Sequence, residues 1–148
     1  MTWTALRNRD GTKNKYAMSK RFPKVRIARE YTFDAAHWLP KVPDGHKCKN
    51  LHGHTYRIEL VVKGECQLSK GWFMDYADLD AYMTPLLEIL DHNCLNEIDG
   101  LTNPTTEVLA HWILERFPVH IVDRLRVYES ARSWCEVEEG WQGGGWGD

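Results

Sequence analysis

Apolar and polar side chains alternate in two stretches of the first half of the chain. Residues 24–37 read KVRIAREYTFDAAH, with Val25, Ile27, Tyr31, Phe33 and Ala35 at odd positions. Residues 52–63 read HGHTYRIELVVK, with Tyr56, Ile58, Leu60 and Val62 at even positions. A period of two is that of a half-buried strand, so each stretch is expected to lay one face on a core. The period then changes. Asp75 can cap a helix, and Leu79, Tyr82, Met83, Leu86, Leu87 and Leu90 recur in alternating steps of three and one, a helical stripe. Pro85 falls inside that stripe and predicts a kink or a split. Asn103-Pro104-Thr105-Thr106-Glu107 suits the start of a second helix, with Val108, Leu109, Trp112 and Ile113 as its apolar face and Pro118 as its stop. Alternation returns over residues 121–129, where Leu125, Val127 and Glu129 share a face, and residues 133–138 read as a last strand. The order strand, strand, helix, helix, strand, strand implies an α+β fold, an antiparallel sheet with both helices on one face.

The strand parity carries chemistry. His37 falls on the odd, apolar face of the first strand, and His52 and His54 fall on the even, apolar face of the second. If the strands pair antiparallel, the three imidazoles meet at one end on the core side. Three neutral ring nitrogens can hold a divalent metal and leave a fourth position open, which is how a catalytic zinc site differs from a closed one. A rival ligand set is Cys48, His52 and His54, because Cys48 lies four residues before His52. As a loop thiol beside a metal, Cys48 is a candidate base or nucleophile. Cys66, Cys94 and Cys135 read as inert.

Two further positions stand out. Asp91-His92 follows the first helix, where irregular backbone would let the carboxylate orient the ring. Glu129 lies on an apolar strand face. Either the strand ends at Tyr128 and Glu129 is exposed, or the carboxylate grips an N–H-rich heterocycle.

Composition narrows the class without changing it. The chain has 148 residues, enough for one domain, and is 43% hydrophobic with no run long enough to span a membrane. Four cysteines without paired spacing, and no apolar leader, point to reduced thiols in a cytoplasm. Net charge is −2, but residues 1–26 hold eight Lys or Arg against one acid, Asp10. Residues 1–24 are expected to be a solvated basic extension with no nucleic-acid role, and Met18 is a candidate natural start. Residues 25–139 form the expected domain, and residues 140–148 (GWQGGGWGD) a Gly/Trp-rich tail outside it.

Several runs together resemble one family. FDAAHWLPKVPDGHKCKNLHGHTY (Phe33–Tyr56), GWFMDYADL (Gly71–Leu79), LDHNCLNEI (Leu90–Ile98) and NPTTE (Asn103–Glu107) are similar to the motifs of the 6-pyruvoyltetrahydropterin synthase superfamily. The tight Cys-x-x-x-His-Gly-His spacing from Cys48 to His54 resembles its bacterial 6-carboxy-5,6,7,8-tetrahydropterin synthase branch. The resemblance covers about residues 27–138 and does not extend to either end of the chain. It implies that His37, His52 and His54 bind Zn²⁺, and that Cys48 accepts a proton with support from Asp91 and His92. It also implies that Glu129 anchors a pterin ring in a pocket lined by Thr106 and Glu107. The implied fold is the tunnelling fold, a four-stranded antiparallel sheet with two helices on one face, joined into trimeric barrels that stack as a hexamer with sites between subunits. The implied reaction converts 7,8-dihydroneopterin triphosphate to the 6-carboxy product, releasing triphosphate and acetaldehyde, on the route to 7-deazaguanines such as queuosine. Alternatives are a pyruvoyl-type synthase that stops before carbon–carbon cleavage, and a non-catalytic zinc domain with a closed site.

Overall fold

A computed structural model describes residues 10–11, 24–67 and 69–138. Most of the expected N-terminal extension and the Gly/Trp-rich tail lie outside the described residues. Strands β1 (Lys24–His37) and β2 (His52–Glu65) form where the period of two is read, and pair antiparallel over their full length. Helix α1 spans Tyr76–Leu90, α2 spans Thr106–Leu114, and β4 (Val122–Ser130) and β5 (Ser133–Glu138) close the chain. Both helices, with β1, β2 and β4, share one hydrophobic core on one face of the sheet.

The expected four antiparallel strands become five in a mixed sheet. Residues Asn93–Cys94 form a two-residue strand, β3, parallel to β1 at Ala35 and Ala36. The sheet order is β3-β1-β2-β4-β5. Two residues are too few to show a period, so pattern cannot reveal such a strand.

Helix α1 is not split at Pro85. The proline removes one backbone bond and crowds the preceding turn, which costs about 3 kcal/mol. Leu79, Met83, Leu86 and Leu90 are buried on the same helix, and each contributes about 1.5–3 kcal/mol on leaving water. Burial therefore outweighs the break. Asp75 caps the helix by accepting the Ala77 amide at 2.9 Å. Thr105 caps α2 by accepting the Val108 amide at 3.3 Å. Helix α2 ends at Leu114, before Pro118.

The site end of the sheet is clasped by Asn96. Its side chain accepts the Trp38 amide at 2.9 Å and donates to the Trp38 carbonyl at 2.8 Å and the Thr102 carbonyl at 3.3 Å. This ties the end of β1 to the segment that carries Pro104 into the start of α2. Among the described residues, no helix is long and apolar enough to cross a membrane.

Candidate metal centre

Strand register assembles the histidines. His37 lies opposite His52, and Ala35 opposite His54. Residues directly opposite in an antiparallel pair point to the same face. The three rings therefore converge on the core side, with centroids 4.5 Å apart for His37 and His52, 5.1 Å for His37 and His54, and 5.0 Å for His52 and His54. Phe33 and Tyr56 stack at 5.0 Å as the next rung of the same face.

Glu129 joins them from β4. The strand runs on to Ser130, so Glu129 is a half-buried strand residue and not a free end. One ligand atom from each of His37, His52, His54 and Glu129 lies within 4.8 Å of the others. Thr106 Oγ1 donates to Glu129 Oε2 at 2.9 Å. Glu129 Oε1 lies 3.0 Å from His54 Nε2. That approach is short but misaligned for a hydrogen bond, and His54 Nε2 is buried with no hydrogen-bond partner.

Tautomers decide what the cluster can hold. His37 Nδ1 lies 3.0 Å from the Pro104 carbonyl, and His52 Nδ1 lies 2.8 Å from the Asn50 carbonyl. A carbonyl only accepts, so both Nδ1 atoms carry hydrogen and both Nε2 atoms present lone pairs. Those two Nε2 atoms face each other at 3.1 Å. Two lone pairs at that distance repel unless positive charge lies between them. A proton is disfavoured there, because burial lowers the pKa of His37, with the charges of His52 and His54 acting the same way against the Pro104 and Glu129 contributions. Burial likewise lowers the pKa of His54, opposed by Glu129. Nitrogens bound about 2.0–2.1 Å from one tetrahedral metal stand about 3.3 Å apart, close to the observed separation. Three converging imidazoles, two of them with the outer nitrogen fixed by a carbonyl, are a donor set that fits a divalent transition metal.

The same shifts set a pH dependence for the metal-free protein. The folded pKa of His37 and of His54 lies below the unfolded value of about 6.5. Below that value the unfolded chain binds protons that the folded chain refuses, so stability falls as pH falls. The melting temperature of chelator-treated protein is expected to drop between pH 7.5 and 5.5, and a flat profile would contradict it.

Other expected site residues lie apart from this cluster. Cys48 sits in a short 3-10 turn (Lys47–Lys49), held by its carbonyl to the Leu39 amide at 2.8 Å and by its amide to His46 Nδ1 at 3.2 Å. It is not a member of the His/Glu cluster, so the rival ligand set through Cys48 is not the one assembled. Asp91 and His92 precede β3, with His92 Nδ1 2.9 Å from Asp91 Oδ2. The Asp34 amide and His92 hold the Asp91 carboxyl below the usual range. Thr106 joins the cluster through Glu129, while Glu107 is exposed beside it at the start of α2. Tyr56, whose hydroxyl lies 3.3 Å from His37 Nδ1, and the carbonyls of Pro104 and Asn50 were not foreseen. Every residue offers a carbonyl, so no sequence signal marks these two.

Comparison with known proteins identifies the family of the chain. A family model described as 6-pyruvoyl tetrahydropterin synthase matches residues 26–140. The chain is 38% identical to a dihydroneopterin monophosphate aldolase of Pyrococcus furiosus, over 78% of this chain and 98% of that one. It is 36% identical to a 6-carboxy-5,6,7,8-tetrahydropterin synthase of Synechocystis, over 71% of this chain and 88% of that one. The solved 6-pyruvoyl tetrahydropterin synthase of Caenorhabditis elegans superposes with a TM-score of 0.72 at 26% identity, covering 81% of this chain and 99% of that one.

Proposed function

The chain belongs to the 6-pyruvoyl tetrahydropterin synthase family, and from that premise we propose that it is a zinc-dependent lyase acting on a pterin phosphate. The reaction is conversion of 7,8-dihydroneopterin triphosphate and one water to 6-carboxy-5,6,7,8-tetrahydropterin, acetaldehyde and triphosphate, a step toward 7-deazaguanines. The observation that carries it is the opposed pair of Nε2 lone pairs on His37 and His52, beside the unpartnered Nε2 of His54. The tight Cys48-to-His54 spacing and the Synechocystis relative favour the carboxy-producing branch.

In this reading His37, His52 and His54 hold Zn²⁺. Bound there, zinc supplies Lewis acidity that polarises substrate hydroxyl oxygens and acidifies the neighbouring C–H. Cys48 accepts the proton. In the same reading Asp91 and His92, taken from a neighbouring subunit as the family resemblance implies, steady the thiolate. Glu129 receives the amino group and ring N–H of the pterin, its Oε2 already fixed by Thr106. Glu107 lines the entrance. A closed site through Cys48 is disfavoured, because the fourth group beside the histidines is Glu129 and not a thiolate.

The Pyrococcus furiosus relative supports a second reading, aldol-type cleavage of the monophosphate. Zinc-loaded protein should be incubated with the triphosphate and the monophosphate separately, and the products identified by mass. Acetaldehyde with a 6-carboxy pterin from the triphosphate is expected. Cleavage of the monophosphate alone would establish the aldolase instead, and a product retaining its three-carbon side chain would establish the pyruvoyl-type synthase.

The Cys48→Ala variant is expected to bind zinc and pterin but lose about 10²–10⁴-fold in turnover, the usual worth of a positioned base. Its turn is held by backbone bonds that alanine keeps. Turnover at the wild-type rate would remove Cys48 from the chemistry.

The proposal includes a trimer, or two stacked as a hexamer. Among the described residues, β3 covers β1 only at Ala35 and Ala36 at one sheet edge, and at the other β5 pairs on one side with β4. Open edges of this length invite pairing with another copy. Light scattering on active protein is expected to give three or six chains, and a fully active monomer would contradict both the assembly and the shared site.

A further inference from the structure

Asp34 grips the Asp91–His92 pair from several sides. Its carbonyl accepts the His92 amide at 2.6 Å, and its amide donates to Asp91 Oδ1 at 2.9 Å. Its carboxylate accepts the Thr55 hydroxyl, which reaches across from β2. Asp34, Asp91 and His92 each bring one titratable atom within 4.8 Å of the others. His92 is the one non-glycine residue with positive φ among the described residues, at 57°, a conformation that a Cβ disfavours. The two backbone bonds to Asp34 hold it there. The result is that His92 lines an open trough of ≈ 540 Å³ floored by Ala36 and Gly53.

We propose that Asp34 is a positioning residue for His92: its backbone fixes the turn that presents the imidazole, and its carboxylate, tethered by Thr55, is a second negative charge facing the ring. The titratable groups around the trough are Asp91 beside the ring, Asp34 from β1 and Cys94 from β3, while His54 borders it from β2 with its ring turned to the core face. Asp91 raises the pKa of His92 through its hydrogen bond and charge, and the Asp34 charge acts in the same direction. Below the raised value the ring is cationic, the form that stabilises a neighbouring thiolate. This role rests on the reading of His92 as partner to a neighbour's Cys48, but the charge arrangement itself is measured without turnover.

The test is an NMR titration of the His92 ring protons in zinc-loaded, full-length protein, assigned by comparison with His92→Asn. Asp34→Asn keeps the backbone bonds and an oxygen for Thr55 but removes the charge. It is expected to lower the His92 midpoint at low salt, and by less at high salt because the ring is exposed. Thr55→Val, which untethers the carboxylate with no change of charge, is expected to give a smaller fall in the same direction, and it decides the matter if Asp34→Asn does not fold. In turnover, Asp34→Asn is expected to lower kcat with little change in KM. A His92 midpoint equal to wild type in these variants would overturn the proposal. A normal titration response in protein that transforms no pterin would instead leave the clamp standing and sink the functional reading.

Discussion

Replacing His37 by alanine is expected to strip the protein of most of its zinc and nearly all of its activity. His37 is 1% exposed, its Nδ1 is committed to the Pro104 carbonyl, and its Nε2 faces that of His52. It is the most buried of the three histidines, and its partner Pro104 lies just ahead of α2. Loss of a group that merely orients a metal ligand costs 10–100-fold in affinity as a rule. Loss of the ligand itself should therefore exceed about 100-fold, enough to empty the site at ordinary metal concentrations. Metal analysis after dialysis against a weak chelator checks it, with circular dichroism to confirm that the fold persists. Full zinc retention in the variant would rule out this ligand set.

The Glu129→Gln variant is expected to keep its zinc and lose its grip on the pterin. The amide preserves the shape but turns one acceptor oxygen into a donor. Oε2 is fixed by Thr106 and Oε1 is turned toward His54, which leaves the carboxylate oriented to meet an amino group and a ring N–H. Removing one partner of a buried charged pair costs about 2–5 kcal/mol, which is about 30-fold to a few thousandfold in affinity. Titrating a non-reactive pterin into the zinc-loaded variant reads this directly. The 3.0 Å approach of Oε1 to His54 Nε2 makes the zinc content equally informative. Loss of zinc along with pterin would make Glu129 a metal ligand, and unchanged pterin affinity would place the ring anchor elsewhere.

The convergence of the three histidines was legible because a strand has a period of two. Parity alone put His37 on the face of Phe33 and Ala35, and His52 and His54 on the face of Tyr56, and the pairing of β1 with β2 then joined them. Glu129 was visible for the same reason, in line with Leu125 and Val127, although whether the strand reached it was open until β4 was seen to run to Ser130. Helix α1 was visible from its leucine stripe, but the effect of Pro85 depended on how much apolar surface the helix buries, which is a tertiary quantity. Strand β3 was beyond reach, being two residues long. So was the clamp on His92, since Asp34 and Asp91 are separated by 57 positions and joined through a backbone amide that any residue could supply. In the proposed trimer the partner surface for Cys48 would come from another copy of the chain, and no pattern within one chain specifies such a surface.

The most direct measurement is zinc-edge X-ray absorption on the protein as purified, before and after a pterin is added. Three nitrogen ligands at about 2.0–2.1 Å, a light-atom fourth position and no sulfur shell are expected, with the fourth position changing when the pterin binds. A sulfur ligand near 2.3 Å, unchanged by pterin, would mean a closed site that includes Cys48, and the open three-histidine centre with its lyase chemistry would be wrong.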